Sequence, residues 1–179
     1  MAAALVSLSL TLGVPSWLLF PPQETPGRSN AVMVIAGSSD GRHQLGAQLV
    51  EQGIAPNYVV SNPLGFRDKV GSAHCRGVDR PENALETWCL RPEPVTTTGE
   101  ALTMGKLAEA QGWATATVVT SRTHARRVRT MFEQCTNLDI SVVYMDYIQR
   151  KTITDRVLHE IGGYIKFWIT NPCRDVPKS

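Results

Sequence analysis

Apolar runs alternate with mixed polar stretches along this chain, and their lengths are those of strands followed by helices. Ala31-Val-Met-Val-Ile-Ala36 is a continuous apolar run, as a parallel strand buried on both faces requires. Gly37-Ser-Ser-Asp-Gly41 reads as a turn, and Arg42 to Gly53 as a helix with Leu45, Leu49 and Val50 on one face and Gly53 at its end. Asn57–Ser61 predicts the second strand. Residues 62–86 carry Pro63, Gly65, Gly71, Gly77 and Pro81 and are expected to be irregular. Thr87–Leu90 predicts a short third strand, Thr98 to Gly112 a helix opened by a threonine cap, and Thr115–Ser121 the fourth strand. A helix over Thr123–Cys135 buries Ala125, Val128, Met131, Phe132 and Cys135. Ile140–Met145 is the fifth strand. The last helix, Thr152–Thr170, is expected to turn Val157, Leu158, Ile161, Ile165 and Trp168 inward. Strands alternating with helices predict an α/β domain: a Rossmann-like parallel sheet of about five strands with helices on both faces.

The N-terminus breaks this pattern. Ala2 to Phe20 carries no charge and is rich in leucine, which suits the roughly twenty apolar residues of a bilayer-spanning helix. Trp17 fits an interfacial position near its outer end. A signal anchor over residues 1–20 is therefore expected, with the domain extracytoplasmic. A cleaved signal peptide needs a small-residue site, and Leu18-Leu-Phe-Pro-Pro22 offers none; cleavage would make the protein secreted. A buried core element is the third reading of the segment. Residues 21–30, with Pro21, Pro22, Pro26 and Gly27, read as a linker, and residues 31–179 as the folded domain.

Cysteine placement bears on the compartment. Cys75, Cys89, Cys135 and Cys173 form no C-x-x-C, which leaves little for zinc or thioredoxin-type chemistry. An even count behind an export-like segment favours disulfides. Cys75 and Cys89 flank one loop region, while Cys135 ends a helix and Cys173 lies in the tail, so the expected pairs are Cys75–Cys89 and Cys135–Cys173. Net charge is only +2 and mean hydropathy is −0.12. The first speaks against nucleic acid as a partner and the second against a multi-span membrane protein.

In open parallel sheets, ligands bind beyond the carboxyl ends of the strands. Four loops lie there: Gly37-Ser38-Ser39-Asp40-Gly41-Arg42, Ser61-Asn62-Pro63, Pro94 to Glu100, and Ser121 to Arg127. Ionisable and small polar residues concentrate in them. Several lead into helix N-termini, whose free N–H groups favour anions. The candidate ligand-binding residues are Gly37, Ser38, Asp40, Arg42, Ser61, Thr98, Ser121 and Arg127. Asp40 also suits a helix cap. His124 and Arg127 share a helical face, and Glu100 approaches from the neighbouring helix, making Glu100 and His124 the acid/base candidates. The plainer alternative is a Thr97–Glu100 capping box with surface arginines. No G-x-G-x-x-G, P-loop, G-x-S-x-G or H-E-x-x-H occurs, so no metal or cofactor is expected. His159-Glu160 reads as part of a polar helix face.

The apolar strand before Gly37…Asp40-Gly41-Arg42, Ser61 after the second strand, Thr98-Gly99-Glu100 and Val119-Thr-Ser121-x-x-His124-x-x-Arg127 resemble the YdcF/SanA/ElyC family. His159-Glu160 also recurs in such domains. The four-cysteine arrangement resembles the membrane-anchored actinobacterial branch. The chain departs from the family pattern in two motifs: Asn62-Pro63 stand where Gly-Gly is usual, and Thr97 and Ala101 where Asn is usual. The resemblance implies a role in the cell-envelope barrier and peptidoglycan precursor supply. The expected partner is a phosphorylated small molecule or a lipid-linked envelope precursor. The alternatives are a nucleotide- or S-adenosylmethionine-binding transferase, since the family's namesake is associated with S-adenosylmethionine, and a non-catalytic envelope interaction module.

Overall fold

The computed structural model describes residues 13–37, 40–78, 80–146 and 153–177. Residues 13–19 form a helix, α1. The domain then runs β1 (Ala31–Val34), α2 (Arg42–Glu51), β2 (Asn57–Ser61), a 3-10 turn (Gly65–Arg67), α3 (Lys69–Cys75) and β3 (Glu86–Leu90). It continues with α4 (Thr97–Gln111), β4 (Thr115–Ser121), a second 3-10 turn (Arg122–His124), α5 (Ala125–Cys135), β5 (Asp139–Met145) and α6 (Ile153–Thr170). The five strands form one sheet, ordered β3-β2-β1-β4-β5, and every pairing is parallel.

Alternation along the strands builds two cores. Ala31, Met33 and Ile35 of the first strand segment face Met104 of α4 and Val128 and Phe132 of α5. Val32 and Val34 face the other way, against Leu49 and Val50 of α2 and Tyr58. All four residues of β1 are buried, as expected of a central strand covered on both faces. Chain order reverses at β1: β2 and β3 extend to one side of it, and β4 lies on the other. The crevice between the ends of β1 and β4 is thus the position where this topology places a ligand.

Two disulfides staple the periphery. Cys75–Cys89 joins α3 to β3 with Cα atoms 5.6 Å apart, and Cys135–Cys173 joins the end of α5 to the tail beyond α6 at 5.0 Å.

Two expectations need correction. The stretch 62–86 contains a helix, α3, nucleated by Asp68, whose carboxylate accepts from the N–H groups of Val70 and Gly71. Buried Asn62 then donates to Ser72 at 3.2 Å, fixing α3 beside β2. The inward face of α6 is different too. Val157, Glu160 and Phe167 are buried, whereas Leu158, Ile165 and Trp168 are exposed. The helix is rotated because Glu160 is drawn to a guanidinium and an imidazole described below, and those contacts outweigh the apolar pattern. Residues ahead of Ala31 also pack against the domain. Leu18 is buried, Tyr144 donates to the carbonyl of Pro21 at 2.9 Å, and Glu24 pairs with Arg129. Arg122 donates to the carbonyl of Leu19, and Arg126 to those of Trp17 and Phe20. These are carbonyls that a helix end leaves without partners. Among the described residues, no helix is long and apolar enough to cross a membrane.

Candidate functional site

A cavity of about 1250 Å³ lies beyond the carboxyl ends of the strands, lined among others by Glu100, His124 and Arg127. Each arrives there for a local reason. Thr96 caps α4 by accepting from Gly99 N–H at 3.1 Å, which sets Glu100 in the first helical turn. Gly99 allows that turn to sit tightly on Pro94, since a Cβ there would collide with the Pro94 carbonyl. At the end of β4 the 3-10 turn precedes α5, so His124 falls at the N-cap and Arg127 one turn on.

Glu100 does not form a capping box. Its Oε1 accepts from Ser61 Oγ at 2.6 Å and from Ala36 N–H at 2.8 Å, linking the ends of β1 and β2 to α4. Burial pushes its pKa up, against the lowering influence of these two hydrogen bonds and of Arg42 and Arg127.

The centre of the site is a carboxylate that the sequence reading assigned to a polar surface. Glu160 accepts from Arg127 Nε at 2.6 Å and Nη2 at 3.1 Å, a two-pronged pair. His124 Nδ1 lies 2.9 Å from the same carboxylate. Both carboxylate oxygens lie within 3.0 Å of Nδ1 and only accept, which assigns the proton to Nδ1 and the lone pair to Nε2; Arg127 Nη2, 3.0 Å from Nδ1, then donates to Glu160. Thr97 Oγ1 lies 3.2 Å from Nε2 and also accepts from Arg127 Nη1 at 3.3 Å. One chain of donors results: Arg127 to Thr97, Thr97 to His124, His124 to Glu160. Burial lowers the His124 pKa, Glu160 pulls it back up, and Arg127 lowers it further, so the imidazole is neutral near neutral pH. Burial would raise Glu160, but the hydrogen bond from His124, with the hydrogen bonds and charge of Arg127, outweighs it and keeps the carboxylate ionised. Gly163 of α6 makes the contact possible, because a Cβ there would meet the Arg127 guanidinium at 2.9 Å.

The other candidates divide. Gly37, Arg42 and Ser121 line the cavity. The Arg42 guanidinium is already engaged: it pairs with Asp40 at 2.6 Å and donates to the carbonyls of Ile35 and Ala36. Asp40 is lowered by Arg42 against the effect of its own burial. Thr98 turns away from the cavity, toward Met131 Sδ at 3.5 Å. Ser61 is fully buried behind Glu100. Ser38 lies outside the described residues.

Glu160 and Thr97 were missed as partners of the site, as were the rim cations Arg67, Lys69 and Lys166. The register of α6 held a signal for Glu160. It stands three residues after Val157 and seven before Phe167, on the line that the helix buries. Comparison with protein-family models, curated proteins and solved structures finds no match for the chain.

Proposed function

We propose that this is an extracytoplasmic, membrane-tethered protein of the YdcF/SanA/ElyC type, acting in cell-envelope biogenesis, whose strand-end cavity binds a phosphorylated, lipid-linked ligand. The observation that carries the reading is the division of charge in the cavity. The arginines at its floor are satisfied internally, Arg127 by Glu160 and Arg42 by Asp40. Exposed cations also line it: Arg67, Lys69 and Lys166. In this arrangement the rim cations and the first turn of α4 hold the phosphate, while the buried relay orients His124. The volume of about 1250 Å³ exceeds the usual range for small-ligand pockets, roughly 300–1,000 Å³, and leaves room for a head group and the start of a chain. The two disulfides favour an oxidising compartment.

If the site turns its ligand over, neutral His124 takes the proton at Nε2 by way of the Thr97 hydroxyl, and Glu100, whose pKa burial raises, is the candidate proton donor. Calorimetric titration with farnesyl pyrophosphate, inorganic pyrophosphate, ATP and S-adenosylmethionine tests the reading. Tighter binding of the isoprenoid than of inorganic pyrophosphate, weakened by Lys69→Ala and Lys166→Ala, is expected. Preference for ATP or S-adenosylmethionine would favour a transferase instead. No binding of any of the four would favour an interaction module.

A further inference from the structure

Helix α6 has three faces with three surroundings. Val157, Glu160 and Phe167 point into the protein. His159, Gly163 and Lys166 line the cavity. Leu158, Ile165 and Ile169 fall on a third line, seven and then four residues apart, and they are 62%, 55% and 77% exposed, with Trp168 beside them at 58%. Nothing in the described fold covers this stripe. It continues onto α1: Trp17 lies 5.7 Å from Tyr164 of α6, and Trp17 and Phe20 are themselves exposed. Basic groups edge the α1 end, with Arg126 over the Trp17 ring at 4.5 Å and Arg122 over Phe20 at 5.1 Å.

We propose that this face, built from Trp17, Phe20, Leu158, Ile165, Trp168 and Ile169, lies in the interface of a phospholipid bilayer. Two features select a bilayer over a protein partner. The chain that enters α1 is itself uncharged and apolar from Ala2 onward, so the segment leading to this face is one that favours lipid. The residues also sort as an interfacial element requires: aliphatic and tryptophan side chains on the outer line, arginines at the edge within reach of phosphate head groups. The face therefore adds a second contact to the tether of the proposed function, on which it rests, and it holds the domain in one orientation. Lys166, which lines the cavity, adjoins Ile165 and precedes Ile169 by three residues on the same helix, so a ligand anchored in that bilayer has this rim cation beside it.

The test uses the full chain with vesicles of phosphatidylcholine and phosphatidylglycerol, with and without bromine on the acyl chains. Vesicle flotation reads the tether, and quenching of tryptophan emission by the brominated lipid reads the face. Flotation with quenching that is lost in part in Trp168→Phe, and is unchanged in Trp88→Phe, is the expected result. Ile165→Glu combined with Ile169→Glu should abolish quenching of Trp168, whereas Leu85→Glu, an exposed leucine before β3, should leave it intact. A chain that floats while Trp168 is unquenched overturns the interfacial face and spares the tether. A chain that does not float overturns both. A dimer that persists with vesicles and dissociates in the α6 double variant assigns the face to a second copy, and the proposal fails.

Discussion

His124 and Glu160 are joined through Nδ1 at 2.9 Å, and this contact decides which ring nitrogen faces the cavity wall. The carboxylate fixes the tautomer, Thr97 meets the remaining lone pair, and Arg127 braces both ends of the arrangement. The geometry is that of a base oriented by a third group, with the acceptor nitrogen turned toward a hydroxyl. Burial of the ring then keeps it neutral, so the relay is a permanent feature at neutral pH.

Replacing Glu160 with Gln should separate orientation from charge. The amide retains the shape but leaves the buried guanidinium of Arg127 without a counter-charge, which costs about 3–5 kcal/mol. Glu160 raises the pKa of His124, so its removal moves the imidazole further below its ordinary value. NMR titration of the histidine ring protons should show one midpoint displaced to lower pH. A midpoint displaced upward would mean that Glu160 does not govern His124.

Arg127→Met should move the same midpoint the other way. Arg127 lowers the His124 pKa, and without it Glu160 has only the imidazole to neutralise it. The variant is therefore least stable at high pH, where His124 is neutral and the buried carboxylate is uncompensated, by about 3–5 kcal/mol. The loss should shrink as pH falls through the raised pKa and the imidazolium forms. Denaturant melts at two pH values, one either side of the new midpoint, check this. Equal destabilisation at both would remove His124 from the pair.

The reach of the sequence follows from which forces act alone. The strand runs and the α5 stripe were legible because burial of apolar side chains sets them with no competing term, and the residues Ala125, Val128, Met131, Phe132 and Cys135 are all buried. The meeting of Glu100, His124 and Arg127 in one cavity was legible from strand-end position. Helix α6 was misread because the contacts of Glu160 with Arg127 and His124 set its rotation, and a periodicity count gives a buried carboxylate no weight. Helix α3 was missed because its stability comes from the Asp68 cap, Asn62 and the Cys75 disulfide, with little apolar face of its own. The engagement of Arg42 by Asp40 needed a side-chain path that spacing alone does not specify.

The disulfides should contribute through the unfolded chain. In the loop-entropy account Cys75–Cys89 is worth about 3 kcal/mol and Cys135–Cys173 about 4 kcal/mol. Cys135→Ala with Cys173→Ala should accordingly lower the melting temperature more than Cys75→Ala with Cys89→Ala. The reverse order would show that anchoring α3 matters more than loop length.

Stability should fall on acidification through His43. Its ring is buried against His74 at 4.2 Å between centroids, and burial, then His74 and Arg42, lower its pKa to about 4. The unfolded chain takes up this proton near pH 6.5, the folded protein only near 4, so stability is complete above 6.5 and is lost between those values. The full effect is about 3 kcal/mol. His43→Phe should flatten this part of the stability–pH curve, measured by urea melts from pH 7 to pH 4. An unchanged slope would show that His43 does not titrate in this window.

Glu100 distinguishes a structural carboxyl from a working one. Its Oε1 is the acceptor for Ala36 N–H and Ser61 Oγ, so any replacement that keeps that oxygen keeps the junction of β1, β2 and α4. Glu100→Gln retains it. Because burial already raises the Glu100 pKa, a neutral group is what the site favours, and the amide should cost little stability. Glu100→Ala removes the acceptor and leaves the buried Ser61 hydroxyl and the partly buried Ala36 N–H unpaired, a penalty of about 1–3 kcal/mol for the buried donor and less for the other. If Glu100 only joins the strands, the Gln variant keeps both fold and function and the Ala variant loses both. If Glu100 donates a proton to the ligand, the Gln variant keeps the fold and binds farnesyl pyrophosphate, yet turnover drops by roughly 10²–10⁴-fold. Melting curves, calorimetry and phosphate release on the two variants decide the matter. A Gln variant as unstable as the Ala variant would show that the ionised form holds the junction.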